Sequence, residues 1–121
     1  MNEIQNSKQY DLEERTFKFA QNVRAFIKKI PTTLSNIEDA KQLVKASGSV
    51  GANYIEANEA LSKKDFILRI KICRKESKES QFWLKLIDIN NNDILDSERN
   101  NLVQESIELM KIFGAILQKS K

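Results

Sequence analysis

The sequence predicts an all-α protein, an antiparallel up-down four-helix bundle, on three observations. Backbone breakers are sparse: 121 residues hold three glycines and one proline. Straight-chain residues with good helix propensity dominate what is left. Four stretches carry apolar residues at three- and four-residue steps, the helical period, and short turn-forming runs separate them.

Residues 1–9 read as a polar tail, and the bundle is expected over residues 10–118. The first helix is expected over residues 11–30, where Leu12, Phe17, Ala20, Val23, Phe26, Ile27 and Ile30 form the apolar stripe. Asp11, Glu13 and Glu14 in the first turn and Lys28 and Lys29 in the last complement the helix dipole. Pro31 stops it, because proline disfavours helical geometry in the residue before it.

The second helix, residues 36–60, is expected to open at an N-cap Ser35 with Glu38 as capping-box partner. Its core stripe is Ile37, Ala40, Leu43, Val44, Ser47, Val50, Gly51 and Tyr54. Glycine costs about 1 kcal/mol against alanine inside a helix. Gly48 and Gly51 together therefore predict close approach of another backbone, or a bend. Ser62-Lys63-Lys64-Asp65 has capping-box form and opens the third helix, residues 63–90. At 1.5 Å per residue it runs for about 40 Å and is the longest element. The Asn90-Asn91-Asn92-Asp93 run signals a turn. The fourth helix, residues 97–118, carries Leu102, Val103, Ile107, Met110, Phe113, Ile116 and Leu117, with an interruption expected at Gly114.

Several function classes are disfavoured. Histidine is absent, which removes the usual general base, the commonest metal ligand and the Glu-x-x-His pairs of di-iron bundles. Cys73 has no second cysteine to pair with, so a reducing, cytoplasmic setting is expected. No apolar run approaches the roughly 20 residues that span a bilayer, and no membrane partner is expected. No catalytic, cofactor-binding or metal-binding residue is assigned, and no enzyme activity is expected.

The third helix carries more than one apolar face. On a helical wheel, Phe66, Ile70, Cys73, Ser77, Leu84 and Ile87 form a core stripe. Leu68, Ile72, Trp83 and Leu86 form a second one about 120° away, with Glu76 and Glu79 among them. This second stripe has two readings: a wide core contact with two neighbouring helices, or an oligomer interface. Lys64, Lys71, Lys75, Lys78 and Lys85 form a third stripe with Phe82 in its midst. Residues 63–85 hold eight Lys/Arg against three Asp/Glu, a balance of +5 against +3 for the whole chain. The lysines read either as a solvated face or as a phosphate-contacting surface that oligomerisation would strengthen.

Ser49, Asn53 and Glu56 lie on one side of the second helix, while Glu76 and Glu79 stand beside apolar residues of the third. Carboxylates near low-dielectric surfaces need partners, and Arg24, Arg69, Arg74 or Asn53 could serve. A register-fixing hydrogen-bond network is the plain reading; a carboxylate pair for catalysis or a divalent metal is the sharper one.

Those residues also carry a family resemblance. Ser49-Val50-Gly51-Ala52-Asn53-Tyr54-Ile55-Glu56-Ala57, then Ser62-Lys63-Lys64-Asp65-Phe66-Ile67, then Lys75-Glu76-Ser77-Lys78-Glu79-Ser80 before Phe82-Trp83-Leu84, together with a Tyr10-Asp11-Leu12 opening, resemble the bacterial four-helix-bundle proteins encoded in intervening sequences of 23S ribosomal RNA genes. The resemblance covers roughly residues 10–89 and implies a homo-oligomer, often a ring-like pentamer. It also implies kinship with the basic, nucleic-acid-binding accessory protein of diversity-generating retroelements. Gly51-Ala52 stands where many relatives have Pro-Ser, and Ala57 where they have Gly. The expected function is thus an oligomeric, non-catalytic binding module whose partner is RNA or an RNA-handling protein. The alternative is a structural or protein-interaction bundle with no nucleic-acid role.

Overall fold

A computed structural model describes residues 2–121, with side chains from Leu12 onward. It contains four helices: α1 (Asn2–Ile27), α2 (Leu34–Asn58), α3 (Lys63–Leu86) and α4 (Asp93–Lys119). There is no strand among the described residues. Each helix backbone lies against two neighbours, in the cycle α1–α2–α3–α4–α1, and across the α2–α4 diagonal the rings of Tyr54 and Phe113 meet in the core with centroids 5.9 Å apart. Neighbours run antiparallel: Arg15 pairs with Glu105 and Lys29 with Glu98, while Val50 faces Cys73 and Asn36 faces Asp88 across the α2–α3 seam. Four amphipathic helices on short connections have this as their simplest closed packing.

The core gathers one stripe from each helix. Phe19, Val23 and Phe26 enter from α1, Leu43 and Val50 from α2, Ile70, Cys73 and Leu84 from α3, and Leu109 and Phe113 from α4, all essentially sealed from solvent. Burying a large aliphatic or aromatic side chain contributes about 1.5–3 kcal/mol, so these ten dominate what holds the bundle together. The stripe expected in α1 is rotated by a fraction of a turn. Phe17 is 62% exposed and Phe19 takes the core place; two phenylalanines two residues apart cannot share one helical face. Ile37 is likewise on the outside, and Leu109 occupies the α4 core between the expected neighbours Val103, Ile107 and Met110, which are only partly covered.

Hydroxyls fill the tight places. Thr16, Ser47, Ser77, Ser80 and Ser106 are buried, and each donates to a carbonyl three or four residues back in its own helix. A small side chain satisfied in this way lets a neighbouring helix come close without an orphaned polar atom.

The helix ends differ from expectation for local reasons. α1 extends back to Asn2, through residues read as a tail; with no proline or glycine there, nothing blocks helical propagation. Met1, and the side chains of Tyr10 and Asp11 in the family-like opening, lie outside the described residues. α1 ends at Ile27, three residues before the expected stop, in a turn where Lys29 N–H bonds Phe26 O at 3.0 Å. The cap of α2 is Thr33 and not Ser35: its hydroxyl accepts from Asn36 N–H at 3.1 Å. Ser62 does cap α3, accepting from Asp65 N–H at 3.0 Å. α3 stops at Leu86, not at residue 90, and α4 starts at Asp93, not at residue 97, capped by Asn92. Asn90 and Asn91 both take left-handed backbone angles, φ 54° and 58°, a conformation asparagine tolerates better than most residues. α4 runs through Gly114 without interruption.

The small-residue middle of α2 is explained by α1. A Cβ on Gly51 would sit 3.0 Å from Thr16 Oγ1 and 3.3 Å from its Cβ, whereas one on Gly48 would meet only the end of Arg24 at 3.4 Å. The close approach expected from two glycines is made by α1, and α2 stays a continuous helix.

Candidate nucleic-acid and interaction faces of the third helix

The core stripe of α3 faces inward, which fixes where its remaining residues lie. Lys64, Lys71, Lys75, Lys78 and Lys85 are all exposed on the opposite, outer side, and none of the five is in an ion pair among the described residues. Phe82 stands with them, 57% exposed, its ring edge-on to Trp83 with centroids 5.0 Å apart. One helix thus presents five free ammonium groups and an accessible aromatic ring in a single row. Outside residues 63–85 the chain is net acidic, by −2, so basic potential is concentrated on this face.

The second apolar stripe divides in two. Leu68 and Leu86 are about half exposed. Ile72 and Trp83 are partly covered, and Trp83 packs against the bundle's own core. A wide core contact therefore accounts for part of the stripe, and Leu68, Leu86 and the neighbouring Phe82 remain as apolar surface that the monomer leaves in water.

The polar residues do not form one network. Asn53 Nδ2 donates to Ser49 O and Ser49 Oγ, both at 2.9 Å, and Asn53 Oδ1 accepts from Arg69 Nη1 at 3.1 Å. This Ser49–Asn53–Arg69 chain ties α2 to α3, with Asp65 near Arg69 Nε at 3.9 Å; that Nε is buried and has no hydrogen bond. Glu56 is exposed and stands apart from the chain. Glu76 and Glu79 form a separate, half-buried pair. Burial first, and then the charge of Glu79, push the Glu76 carboxyl above the ordinary glutamate range, with Lys75 and Lys45 opposing. Of the arginines expected as partners, Arg69 bonds Asn53, Arg24 bonds Ala20 O at 3.2 Å, and Arg74 is exposed without an ion pair among the described residues.

Among the described residues no three His, Cys, Asp or Glu side chains converge as a metal-binding group. The Cys73 thiol donates to Val50 O at 3.3 Å, and burial pushes its pKa up to about 12, far from the thiolate needed for nucleophilic chemistry. No helix is long and apolar enough to cross a membrane among the described residues.

Three features escape sequence reasoning. Asn36, at the start of α2 and given no role by sequence reasoning, is 1% exposed and bridges two loops. Arg15 grips Glu105 with two bonds at 2.7 and 2.8 Å, which raises an already high guanidinium pKa further. Phe17, taken for core, instead lines an open cleft of about 480 Å³ between α1 and α2 with Ala20, Gly48, Gly51, Ala52 and Ile55. Only the glycines hinted at this last feature.

The family pattern described as 23S rRNA-intervening sequence protein matches residues 8–115. The chain belongs to the 23S rRNA-intervening sequence protein family. The match takes in all four helices, including α4, beyond the reach of the motif resemblance. Among solved structures, this family member is similar to a protein of unknown function from the S23 ribosomal protein family of Bacteroides thetaiotaomicron VPI-5482, determined at 1.70 Å. The two are 28% identical with a TM-score of 0.71, over 87% of this chain and 96% of that one. No curated protein matches the chain.

Proposed function

We propose that this intervening-sequence protein is an oligomeric, non-catalytic binding module that holds RNA on the outer face of α3. The observation that carries the reading is the row of five exposed lysines, unpaired among the described residues, with Phe82 available to stack on a base. The family description names 23S rRNA, which makes ribosomal RNA the first ligand to test, with an RNA-handling protein as a further partner. Self-association is supported by the apolar surface left at Leu68 and Leu86; repeating the lysine row around an assembly multiplies its field. The buried, protonated Cys73 suits a reducing cytoplasm.

Fluorescence anisotropy with a 23S rRNA fragment across a salt series tests this. Lys71→Glu with Lys75→Glu and Lys78→Glu should weaken binding at least tenfold at low salt. The slope of log affinity against log salt should flatten by about 2, since each phosphate contact contributes roughly 0.7–0.9. Affinity and slope unchanged by the triple reversal would remove this face from RNA binding. A second reading, a protein-interaction bundle without RNA, is favoured by the exposed apolar residues on the same face, and absence of binding even at low salt would select it.

A further inference from the structure

The outer row of α3 holds an aromatic ring where its helical spacing could hold another lysine. Lys78 stands one turn before Phe82 and Lys85 one turn after it, about 6 and 4.5 Å away along the axis, and Lys71 and Lys75 continue the row beyond Lys78. All of these side chains are exposed. Phe82 is 57% exposed, yet its ring does not hang free. It meets Trp83 at an interplanar angle of 80° with centroids 5.0 Å apart, and Trp83 is in turn packed against the bundle core. Phe82 is therefore a braced platform with an ammonium group on either side.

Resting on the RNA-binding reading above, we infer that this row takes unpaired, single-stranded RNA and discriminates against the duplex, with one base stacked on Phe82 and the phosphates flanking that base held by Lys78 and Lys85. The lysines alone cannot make this choice. Ammonium groups attract the phosphates of either form, and a duplex carries the denser charge. The ring makes it. In a duplex each base has its faces covered by its neighbours, and an A-form helix turns phosphates, 2′-hydroxyls and base edges outward. Phe82 pressed against that surface would strip water from polar groups and return no hydrogen bond. An unpaired base can turn a face onto the ring while its backbone runs along the lysines. Every base has such a face, so the preference is for strandedness and not for sequence. In a folded RNA the segments bound are loops, bulges and ends. Trp83 is a positioning residue here: it fixes the tilt of the ring and touches no RNA.

Fluorescence anisotropy with a labelled RNA of about 12 nucleotides, long enough for a site of this kind, tests the inference with the strand alone and annealed to its complement. The single strand should bind at least tenfold more tightly than the duplex at the same salt. Phe82→Leu keeps an apolar side chain against Trp83 but has no π-face, so circular dichroism and the mass from light scattering should stay those of the wild type. It should weaken the single strand roughly tenfold, the worth of one stacked base, and leave the duplex affinity unchanged. The slope of log affinity against log salt should also stay, because stacking releases no counterion. Phe82→Tyr keeps a face and should bind as the wild type does. Duplex bound as tightly as single strand, or Phe82→Leu weakening both forms alike or neither, overturns the single-strand preference; the RNA-binding face itself then stands if reversing Lys71, Lys75 and Lys78 still abolishes the binding. Neither RNA bound at low salt overturns both.

Discussion

Asn36 joins the two loops at one end of the bundle, and its removal measures what that joint contributes. Its side chain donates from Nδ2 to Pro31 O at 2.9 Å and to Asp88 O at 2.8 Å, and its Oδ1 accepts from Asp88 N–H at 2.9 Å. Three bonds at a net 0.5–1.5 kcal/mol each come to about 3 kcal/mol. Asn36→Ala recovers about 0.5 kcal/mol of helix propensity, and Asp88 is exposed enough for water to reach its freed backbone. The expected loss is therefore about 2–3 kcal/mol, a fall in Tm of roughly 8–15 °C at this chain length. Urea melts followed by far-ultraviolet circular dichroism, with an unchanged m-value, check it. Asn36→Asp is the sharper variant. It keeps the acceptor for Asp88 N–H but turns an oxygen toward two carbonyls in a buried place, so at neutral pH it should be no more stable than alanine. A loss under about 1 kcal/mol for alanine, or aspartate as stable as asparagine, would refute this account of the joint.

The two glycines of α2 should respond to alanine with opposite signs. Gly48→Ala meets only the mobile end of Arg24 and should stabilise by about 0.5–1 kcal/mol. Gly51→Ala presses on the β-branched, hydrogen-bonded Thr16 at 3.0 Å and should destabilise by about 1–2 kcal/mol net; thermal melts of the two variants decide it. Glu76→Gln should raise stability at neutral pH. With its folded pKa above the unfolded one, the native state binds more protons across that window, so stability falls as pH rises through it. The gain over wild type should shrink as pH falls through the raised folded pKa and be gone below the ordinary glutamate value, about 4. A pH-independent difference in urea melts would show that charge is not the cause.

Legibility in the sequence followed the physics of each signal. Four helices could be read because periodicity sums over many residues, and Ser62 as a cap because Asp65 stands three residues on in capping-box form. Thr33 was hidden by the equally plausible Ser35 two residues on. Phe17 was misplaced because Phe19 differs from it by 200° on the helix, and only tertiary packing chooses between them. The lysine row was visible as a spacing. The separation of Ser49–Asn53–Arg69 from Glu76–Glu79 was not, since helix period says which residues share a face but not which faces meet. Asn36 was illegible in principle: its partners are backbone atoms of two loops, and no side-chain pattern marks them.

The buried hydroxyls of Thr16, Ser47, Ser77, Ser80 and Ser106 each bond back to their own helix, and so carry no information about which helix lies opposite or at what height. In the middle of the bundle polar ties between helices are few, the bond from Cys73 to Val50 O apart, and height is set there by shape, as where Thr16 seats against Gly51. Alignment is imposed from the rim, by bolts such as Asn36 to Asp88, Arg69 to Asn53 and Arg15 to Glu105. A change of pitch between two rods therefore calls for new rim partners together with a matching change where Gly51 receives Thr16.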